Sequence, residues 1–145
     1  METILTAKQT KELAKIFKKY QVIFAYLFGS RATGKAIKSS DYDFAVMLPA
    51  GLNFKKTFAI RCKIISDIAN ILQDEKVEVV ILNDLKSILF KFVIIQEGLV
   101  LHEASHANRV MFELKTINEY HDFAPFIEKY NAAYLKRELI KIAKK

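Results

Sequence analysis

The hydrophobic positions of this 145-residue chain alternate between helix-like and strand-like spacing. Over residues 6–20, for example, apolar side chains recur at the three- and four-residue intervals of an amphipathic helix. Between such stretches lie short continuous apolar runs, rich in β-branched and aromatic residues, which are typical of buried strands. The pattern predicts helices over 6–20, over 54–73 and between Asn83-Asp84 and Gly98, and strands over 21–28, 42–47, 77–82 and 99–101.

Two of the predicted helices follow residues that favour a helix N-terminus. Asn53 precedes the helix over 54–73, and Asn83-Asp84 precedes the next helix, for which Gly98 is the predicted C′ residue. In each helix a stripe of apolar residues is expected to face the core, and the single cysteine is expected to be a small core residue. The stripes are Phe54, Phe58, Cys62, Ile65 and Leu72 in the first, and Leu85, Ile88, Leu89 and Phe92 in the second.

The tail from Ser105 is predicted to form two helices. The first carries an apolar stripe, two residues then interrupt the pattern, and aromatic and apolar residues begin the second. The stripe is Val110, Leu114 and Ile117, and the interruption is Asp122 and Pro125. The second helix begins with Phe126, Ile127, Tyr130 and Tyr134. Together the elements predict an α/β (α+β) fold, a small mixed β-sheet backed by helices, with C-terminal helices.

The most informative stretch joins the end of the first strand to the start of the second. Gly29-Ser30 closes the first apolar run, and after ten intervening residues Asp41-x-Asp43 opens the second. Because successive side chains of a strand alternate faces, Asp41 and Asp43 project from the same face. Two carboxylates held together repel each other unless a cation lies between them, and Mg²⁺ is commonly held by one or two carboxylates plus substrate phosphates. Gly29 allows close backbone approach to an anion and Ser30 adds a hydroxyl donor, so the stretch predicts a nucleotide and metal site.

A third carboxylate lies in the middle of the apolar run over 77–82. An ionised Glu78 in a central strand costs several kcal/mol unless it is paired or bound to a cation. Glu78 is therefore a candidate third ligand of the metal site. The alternative is a glutamate on an edge strand that points to solvent or pairs with a lysine.

Composition limits the class of protein further. The length indicates one domain, no apolar run is long enough for a membrane span, and the first residues lack the apolar segment of a secretory signal. One cysteine cannot form an intrachain disulfide, which favours the cytoplasm. The formal net charge of +7 is compatible with nucleic acid, an acidic protein partner or solubility alone, and solvated helix faces are favoured over a nucleic-acid surface.

The arrangement Gly29-Ser30, ten residues, Asp41-x-Asp43 resembles the signature of the polymerase β-type nucleotidyltransferase superfamily. The chain's size and the order of its elements are similar to the minimal nucleotidyltransferases, the MntA-like antitoxins that pair with HEPN-domain RNase toxins. The resemblance covers nearly the whole chain, more loosely after Gly98. It implies one nucleotidyltransferase domain over 1–145, with a catalytic core over 1–104 and a C-terminal helical extension over 105–145.

The resemblance also implies a reaction, protein AMPylation. ATP is expected to bind at Gly29, Ser30 and Arg31, and two Mg²⁺ ions are expected on Asp41, Asp43 and Glu78. AMP then passes to an acceptor hydroxyl, implied to be a tyrosine of a HEPN toxin, and pyrophosphate leaves. The family usually has Asp where this chain has Glu78.

Two other functions stay open on sequence alone. In the first, the site is degenerate and the chain is an antitoxin that acts by binding alone, through its tail helices. In the second, the chain is a nucleotidyltransferase acting on a small molecule or an RNA end, although 145 residues leave little room for a substrate-holding domain. Labelled ATP separates the enzyme from the pure binding protein.

The remaining candidates have ordinary structural interpretations. Arg31 and Lys35 lie close in sequence to Gly29-Ser30, the expected phosphate-binding residues, and are either phosphate ligands or solvated. The histidines lack the partners of a recognised zinc site and are expected at the surface. The aromatic residues of the tail are expected in the core rather than on a stacking surface. The two sets are His102, His106 and His121, and Tyr120, Phe123, Phe126, Tyr130 and Tyr134.

Overall fold

The structure is a computed structural model that describes residues 5–143, apart from the side chains of 127–128, 130–136 and 138–143. Helices and strands alternate along most of the chain, as the hydrophobic pattern predicts. In chain order they are α1 (Ala7–Lys19), β1 (Phe24–Phe28), α2 (Ser30–Thr33), β2 (Tyr42–Met47), α3 (Phe54–Leu72), β3 (Val77–Ile81), a 3₁₀ turn (Leu82–Asp84), α4 (Ile88–Glu97), β4 (Leu99–Glu103) and α5 (His106–Ala143).

The four strands form one mixed sheet in the order β3-β2-β1-β4. β1 pairs antiparallel with both β2 and β4, whereas β2 and β3 run parallel and are joined by the crossover helix α3. The predicted fold class, a small mixed sheet backed by helices, is confirmed. In consequence the end of β1 and the starts of β2 and β3 lie at the same end of the sheet.

Both faces of the sheet are covered by apolar layers. On one face, side chains of α1 and α3 such as Phe17 and Ile64 pack against Leu27, Phe44 and Val79. On the other face, Ile94 of α4 and Phe112 of α5 pack against Phe24, Tyr26 and Phe28 of β1. We call these the α1/α3 face and the α4/α5 face.

The predicted apolar stripe of α3 is wrong for its first half. Phe54 is 83% exposed, Phe58 is 54% exposed and Cys62 is also exposed, so the cysteine is not a core residue. The fully buried positions are Ile64 and Ile68, with Leu72 nearly so. The helix presents a second stripe four residues apart, and the sheet packs against that stripe.

Two predicted boundaries also differ from the structure. β1 begins at Phe24 rather than at Gln21, because Gln21 has a φ of 58° and lies in the turn after α1. Asn83 does not cap α4. Its side-chain amide instead accepts a hydrogen bond from the N–H of Leu48 and donates one to the carbonyl of Leu48. Ser87 caps α4, since its side chain accepts from the N–H of Phe90. α4 ends at Gly98 as predicted, although Gly98 is in an extended rather than a left-handed conformation.

The tail is one helix rather than two, since α5 continues through Pro125 to Ala143. An interior proline removes one backbone hydrogen bond and its ring crowds the carbonyl four residues earlier, yet the helix continues on either side of Pro125. Leu114 is exposed, and Phe112 and Thr116 are on the covered side instead. Tyr120 stacks on Phe92 of α4, as a partly buried residue.

The other tail aromatics are not in the core where the structure describes them. Phe123 and Phe126 are exposed, and the side chains of Tyr130 and Tyr134 lie outside the described residues. No helix among residues 5–143 is both long and apolar enough to cross a membrane.

Candidate active site

Gly29 lies directly after β1 and against a carboxylate of β2. Phe28 and Asp43 are register partners in the antiparallel pair, which brings the next residue, Gly29, alongside the Asp43 side chain. Gly29 has a φ of 76°, and a Cβ there would lie 2.5 Å from Oδ2 of Asp43. Only glycine fits this position, for its conformation and for its close approach to the carboxylate.

Ser30 follows as the first residue of the short helix α2. The carbonyl of Gly29 accepts from the N–H groups of Ala32 and Thr33, at 3.0 and 3.1 Å, and so closes this turn. The Ser30 hydroxyl makes no hydrogen bond to any described residue. Its role as a hydrogen-bond donor to a phosphate stays a prediction.

Two carboxylates face each other across β2 and β3. Asp43 and Glu78 are register partners in the parallel pair, so both project from the α4/α5 face. Asp41 precedes β2 by one residue and is exposed, whereas Asp43 is partly buried. The fold thus places the three acidic residues that the sequence singles out at the same end of the sheet.

The electrostatics of Asp43 follow from this crowding. Burial raises the pKa of the Asp43 carboxyl above its ordinary value, and the negative charges of Asp41 and Glu78 raise that pKa further. A divalent cation with oxygen ligands relieves such repulsion, so the residues present fit Mg²⁺. Within residues 5–143, however, no three His, Cys, Asp or Glu side chains are already gathered closely enough to hold an ion.

Glu78 is not on a central strand, because β3 is an edge of the sheet that the described strands form. Its side chain is 61% exposed, and Oε2 lies 3.6 Å from an Nη of Arg61. Arg61 also donates from Nε to the carbonyl of Val79 at 2.7 Å, which covers a free carbonyl of the edge strand. Glu78 therefore matches the alternative interpretation, an edge glutamate paired with a cation, although the cation is an arginine rather than a lysine. It also lies opposite Asp43, and its role as a third metal ligand stays a prediction.

Arg31 is half-buried, and the hydrogen bonds of its guanidinium go to backbone carbonyls rather than to a carboxylate. One of its Nη atoms donates to the carbonyls of Ser40 and Lys38, at 3.0 and 3.3 Å, and its guanidinium carbon lies 4.3 Å from the ring centroid of Tyr42. Its Nε is buried and has no hydrogen-bond partner among the described residues. Lys35 is exposed.

The histidines lie away from this site. His106 and His121 are exposed, as predicted, and His106 lies 2.8 Å from a carboxylate oxygen of Glu103. His102 is half-buried, against the prediction, because its ring packs near Phe17 and its Nε2 lies 3.1 Å from the carbonyl of Val22.

Sequence reasoning missed the contacts of two residues near the site: Arg61 pairs with Glu78, and Tyr42 stacks with Arg31. Arg61 lies on α3, eighteen residues before Val79, whose carbonyl accepts its hydrogen bond. No local sequence pattern indicates that this side chain also reaches Glu78. The position of Tyr42 could have been predicted. It is the middle residue of Asp41-x-Asp43, and the alternation of a strand points it away from Asp43.

Most of the chain matches one known protein family. Residues 11–107 match the family described as polymerase beta, nucleotidyltransferase. The chain therefore belongs to this nucleotidyltransferase family, and the family predicted from Gly29-Ser30 and Asp41-x-Asp43 is confirmed. No curated protein matches the chain.

Solved structures with a similar fold come from toxin–antitoxin complexes. A chain from a toxin–antitoxin crystal structure with AMP-PNP has a TM-score of 0.68 and 23% identity, over 86% of this chain and 98% of that one. A chain from a tri-AMPylated Shewanella oneidensis HEPN toxin in complex with MNT antitoxin has a TM-score of 0.64 and 21% identity, over 88% and 97%. A chain from an MntA-HepT toxin–antitoxin structure gives 0.64 and 20%, over 89% and 99%. At these identities the likeness establishes the fold.

Proposed function

We propose that this protein is a Mg²⁺-dependent nucleotidyltransferase that moves AMP from ATP to a tyrosine hydroxyl of a partner HEPN toxin, and so acts as an antitoxin in the cytoplasm. The observation that carries the proposal is the convergence of Gly29-Ser30 with Asp41, Asp43 and Glu78 at one end of the sheet. The similar structures support the partner and the reaction, since one contains an AMPylated HEPN toxin with its antitoxin and another contains AMP-PNP. We assign residues 1–104 to the catalytic core and 105–145 to an extension.

The chain's own residues bind and orient the triphosphate. Because Gly29 has no Cβ, the Asp43 carboxylate can lie against its backbone. The hydroxyl of the next residue, Ser30, is the donor that would bond a phosphate oxygen. Asp41, Asp43 and Glu78 are the residues that would hold Mg²⁺. When bound, Mg²⁺ neutralises triphosphate charge and lowers the pKa of an acceptor hydroxyl.

In the proposed reaction the acceptor oxygen attacks the α-phosphorus of ATP. The bond from that phosphorus to the bridging oxygen of pyrophosphate breaks, the acceptor keeps AMP, and its hydroxyl proton is lost. Because Glu78 lies on an edge strand and its side chain is 61% exposed, its carboxylate is accessible to an incoming acceptor. We assign Asp41 and Asp43 to the nucleotide and Glu78 mainly to the acceptor.

The test is transfer of label from ATP carrying a radioactive α-phosphate to a candidate HEPN toxin in the presence of Mg²⁺. We expect label on a toxin tyrosine, none from γ-labelled ATP, and no transfer by Asp43→Asn. Glu78→Gln should keep ATP affinity within a few fold and reduce the transfer rate by orders of magnitude, the result of losing an interaction made mainly in the transition state. Transfer at the wild-type rate by Asp43→Asn would contradict the proposed site.

The same assay distinguishes the two rival functions. An antitoxin that acts by binding alone would inhibit the toxin's RNase activity without moving label. The pairing of Glu78 with Arg61 makes this the stronger rival, because Glu78 must turn from that cation to serve a metal. An enzyme acting on a small molecule or an RNA end would label that acceptor and leave the toxin unlabelled.

A further inference from the structure

Arg31 connects the turn after β1 with the loop that leads into β2. Its Nη donates to the carbonyl of Ser40, the residue immediately before Asp41, at 3.0 Å. Its guanidinium carbon lies 4.3 Å from the ring centroid of Tyr42, the residue immediately after Asp41. Arg31 therefore contacts the chain on both sides of this aspartate.

The guanidinium lies on the opposite face of β2 from the Asp43 carboxylate. Tyr42 packs with the α1/α3 face, whereas Asp43 and Glu78 project from the α4/α5 face. A cation stacked on the Tyr42 ring is thus separated from the carboxylates of Asp43 and Glu78 by the sheet itself. This position does not suit a ligand of phosphates held in front of Asp41 and Asp43.

The same side chain also orders the loop before the aspartates. Among the described residues, this Nη donates to two loop carbonyls, those of Lys38 and Ser40, at 3.3 and 3.0 Å. The Ser40 hydroxyl in turn accepts from the N–H of Ile37 at 2.9 Å, which closes the loop on itself. Because the Ser40 carbonyl belongs to the peptide that carries the Asp41 nitrogen, fixing that carbonyl fixes where β2 and its carboxylates begin.

We infer that Arg31 is a positioning residue, which holds Asp41 and Asp43 in the geometry that binds the divalent cation and contacts no phosphate itself. This inference rests on the proposed function of the same site. Residues that orient ligands of a metal change its affinity when they are replaced, commonly by tenfold to a hundredfold.

The electrostatic effect of replacing Arg31 has the opposite sign to the positioning effect. Removing a positive charge near three carboxylates should by itself tighten the binding of a cation and weaken that of an anion. A phosphate ligand would therefore show weaker binding of triphosphate and unchanged or tighter binding of metal. A positioning residue would show weaker binding of metal in the absence of any nucleotide.

The experiment measures two affinities of the metal-free full-length protein: Mn²⁺ alone, by electron paramagnetic resonance, and tripolyphosphate without metal, by calorimetry. For Arg31→Met we expect Mn²⁺ affinity to fall by about tenfold or more. We expect its tripolyphosphate affinity to match that of Lys35→Met. Lys35 is the matched control, an exposed cation of the same loop whose replacement removes the same charge.

Two further variants guard against simple misfolding of Arg31→Met. Tyr42→Leu removes the ring but leaves Arg31 and all three carboxylates, and it should also weaken Mn²⁺ binding. Arg31→Lys keeps the charge and one donor but cannot bond a carbonyl while stacking flat on the ring, so it should restore Mn²⁺ affinity only in part. In transfer assays Arg31→Met should lower kcat more than it changes KM for ATP.

The outcomes separate this inference from the proposed function. Unchanged or tighter Mn²⁺ binding by a folded Arg31→Met, with tripolyphosphate binding weakened beyond that of Lys35→Met, would overturn the inference and make Arg31 a phosphate ligand. The proposed function would survive that result. A wild-type protein that binds neither Mn²⁺ nor ATP would overturn both.

Discussion

At the scale of single residues, Gly29 joins backbone strain to the chemistry of the site. Gly29→Ala places a side chain in a region of φ that costs of order 1–3 kcal/mol and pushes its Cβ against Oδ2 of Asp43. We expect a lower midpoint of urea unfolding together with weaker binding of Mg·ATP, measured by calorimetry.

Gly51 provides the control for this change. It also has a positive φ, of 87°, but a Cβ there would meet no atom within 4 Å. Gly51→Ala should therefore lower stability without changing nucleotide affinity. If both variants bind Mg·ATP like the wild type, the close approach of Gly29 to Asp43 serves structure alone.

Asp43 should make the metal-free protein less stable than it would be with a neutral residue. Its folded-state pKa is raised above the ordinary 3.8 by burial and by the charges of Asp41 and Glu78, so the ionised form disfavours folding. That cost is absent below the ordinary pKa, grows as the pH rises through the folded-state pKa, and is complete above it. Asp43→Asn should thus raise the melting temperature at pH 7, measured with a chelator present.

The gain should shrink toward zero as the pH is lowered toward the ordinary pKa of an aspartate. Asp84→Asn, at an exposed position of the 3₁₀ turn, should give no comparable gain at pH 7. An Asp43→Asn protein that melts below the wild type at pH 7 would mean that the carboxylate is held by favourable contacts and is not poised for a cation.

At the scale of elements, α5 is attached to the sheet through a buried tyrosine. The Tyr26 hydroxyl donates to Glu113 at 3.0 Å, and Arg109 donates to both oxygens of Glu113 at 2.8 Å. Burial and then the charge of Glu113 raise the pKa of Tyr26, so its hydroxyl stays protonated and remains a donor. The middle of β1 and the first turns of α5 are thereby held together.

Glu113→Ala leaves the buried Tyr26 hydroxyl without this partner and should cost about 1–3 kcal/mol of unfolding free energy. Urea unfolding and faster amide exchange in α5 would report the loss. Glu119→Ala is the matched control on the same helix. Its nearest cation, Lys115, lies 4.0 Å away and is largely exposed, so the cost should stay within about 0.5 kcal/mol. Equal effects of the two variants would contradict an anchoring role for Glu113.

The elements also show what the sequence can predict. α1 and β2 lie where their patterns predict, since Thr6 forms a capping box with Gln9 and the run Tyr42–Met47 is bounded by polar and turn residues. α3 was predicted with the correct extent but the wrong face. Its apolar residues make two stripes, and only the position of the sheet decides which one is buried.

The candidate site likewise has features that the sequence predicts and features that it does not. The closeness of Asp41 to Asp43 is a local property of the sequence, and Gly29 lies beside Asp43 because two strands that the pattern predicts pair with each other. The partners of Arg31 and Glu78 do not follow from it, because those contacts form between segments that meet only in the folded chain. The position of Glu78 on an edge strand likewise depends on the strand order, which hydrophobic pattern alone does not determine.

At the scale of the whole molecule, the proposed ligand site joins three of the four strands. Gly29 follows β1, Asp43 lies on β2 and Glu78 lies on β3, all at one end of a sheet that is packed on both faces. Unfolding of any of these strands would dismantle the site. Binding should therefore stabilise the domain as a unit rather than one loop of it.

Mg·ATP should raise the melting temperature in one cooperative transition. A ligand at a hundred times its Kd adds about 2.7 kcal/mol, which for a domain of this size corresponds to a shift of roughly 5–10 °C. ATP with a chelator should shift it much less, because the carboxylates then repel the triphosphate.

The net charge of +7 supplies a competing explanation, general anion binding by lysine-rich helix faces. That binding would occur without Mg²⁺ and disappear at raised salt, because surface charges are screened. Differential scanning fluorimetry with Mg·ATP, ATP plus chelator and tripolyphosphate, each at low and raised salt, separates the two explanations. An equal shift from all three ligands that vanishes with salt would place the phosphates on the basic surface and not at Gly29-Ser30.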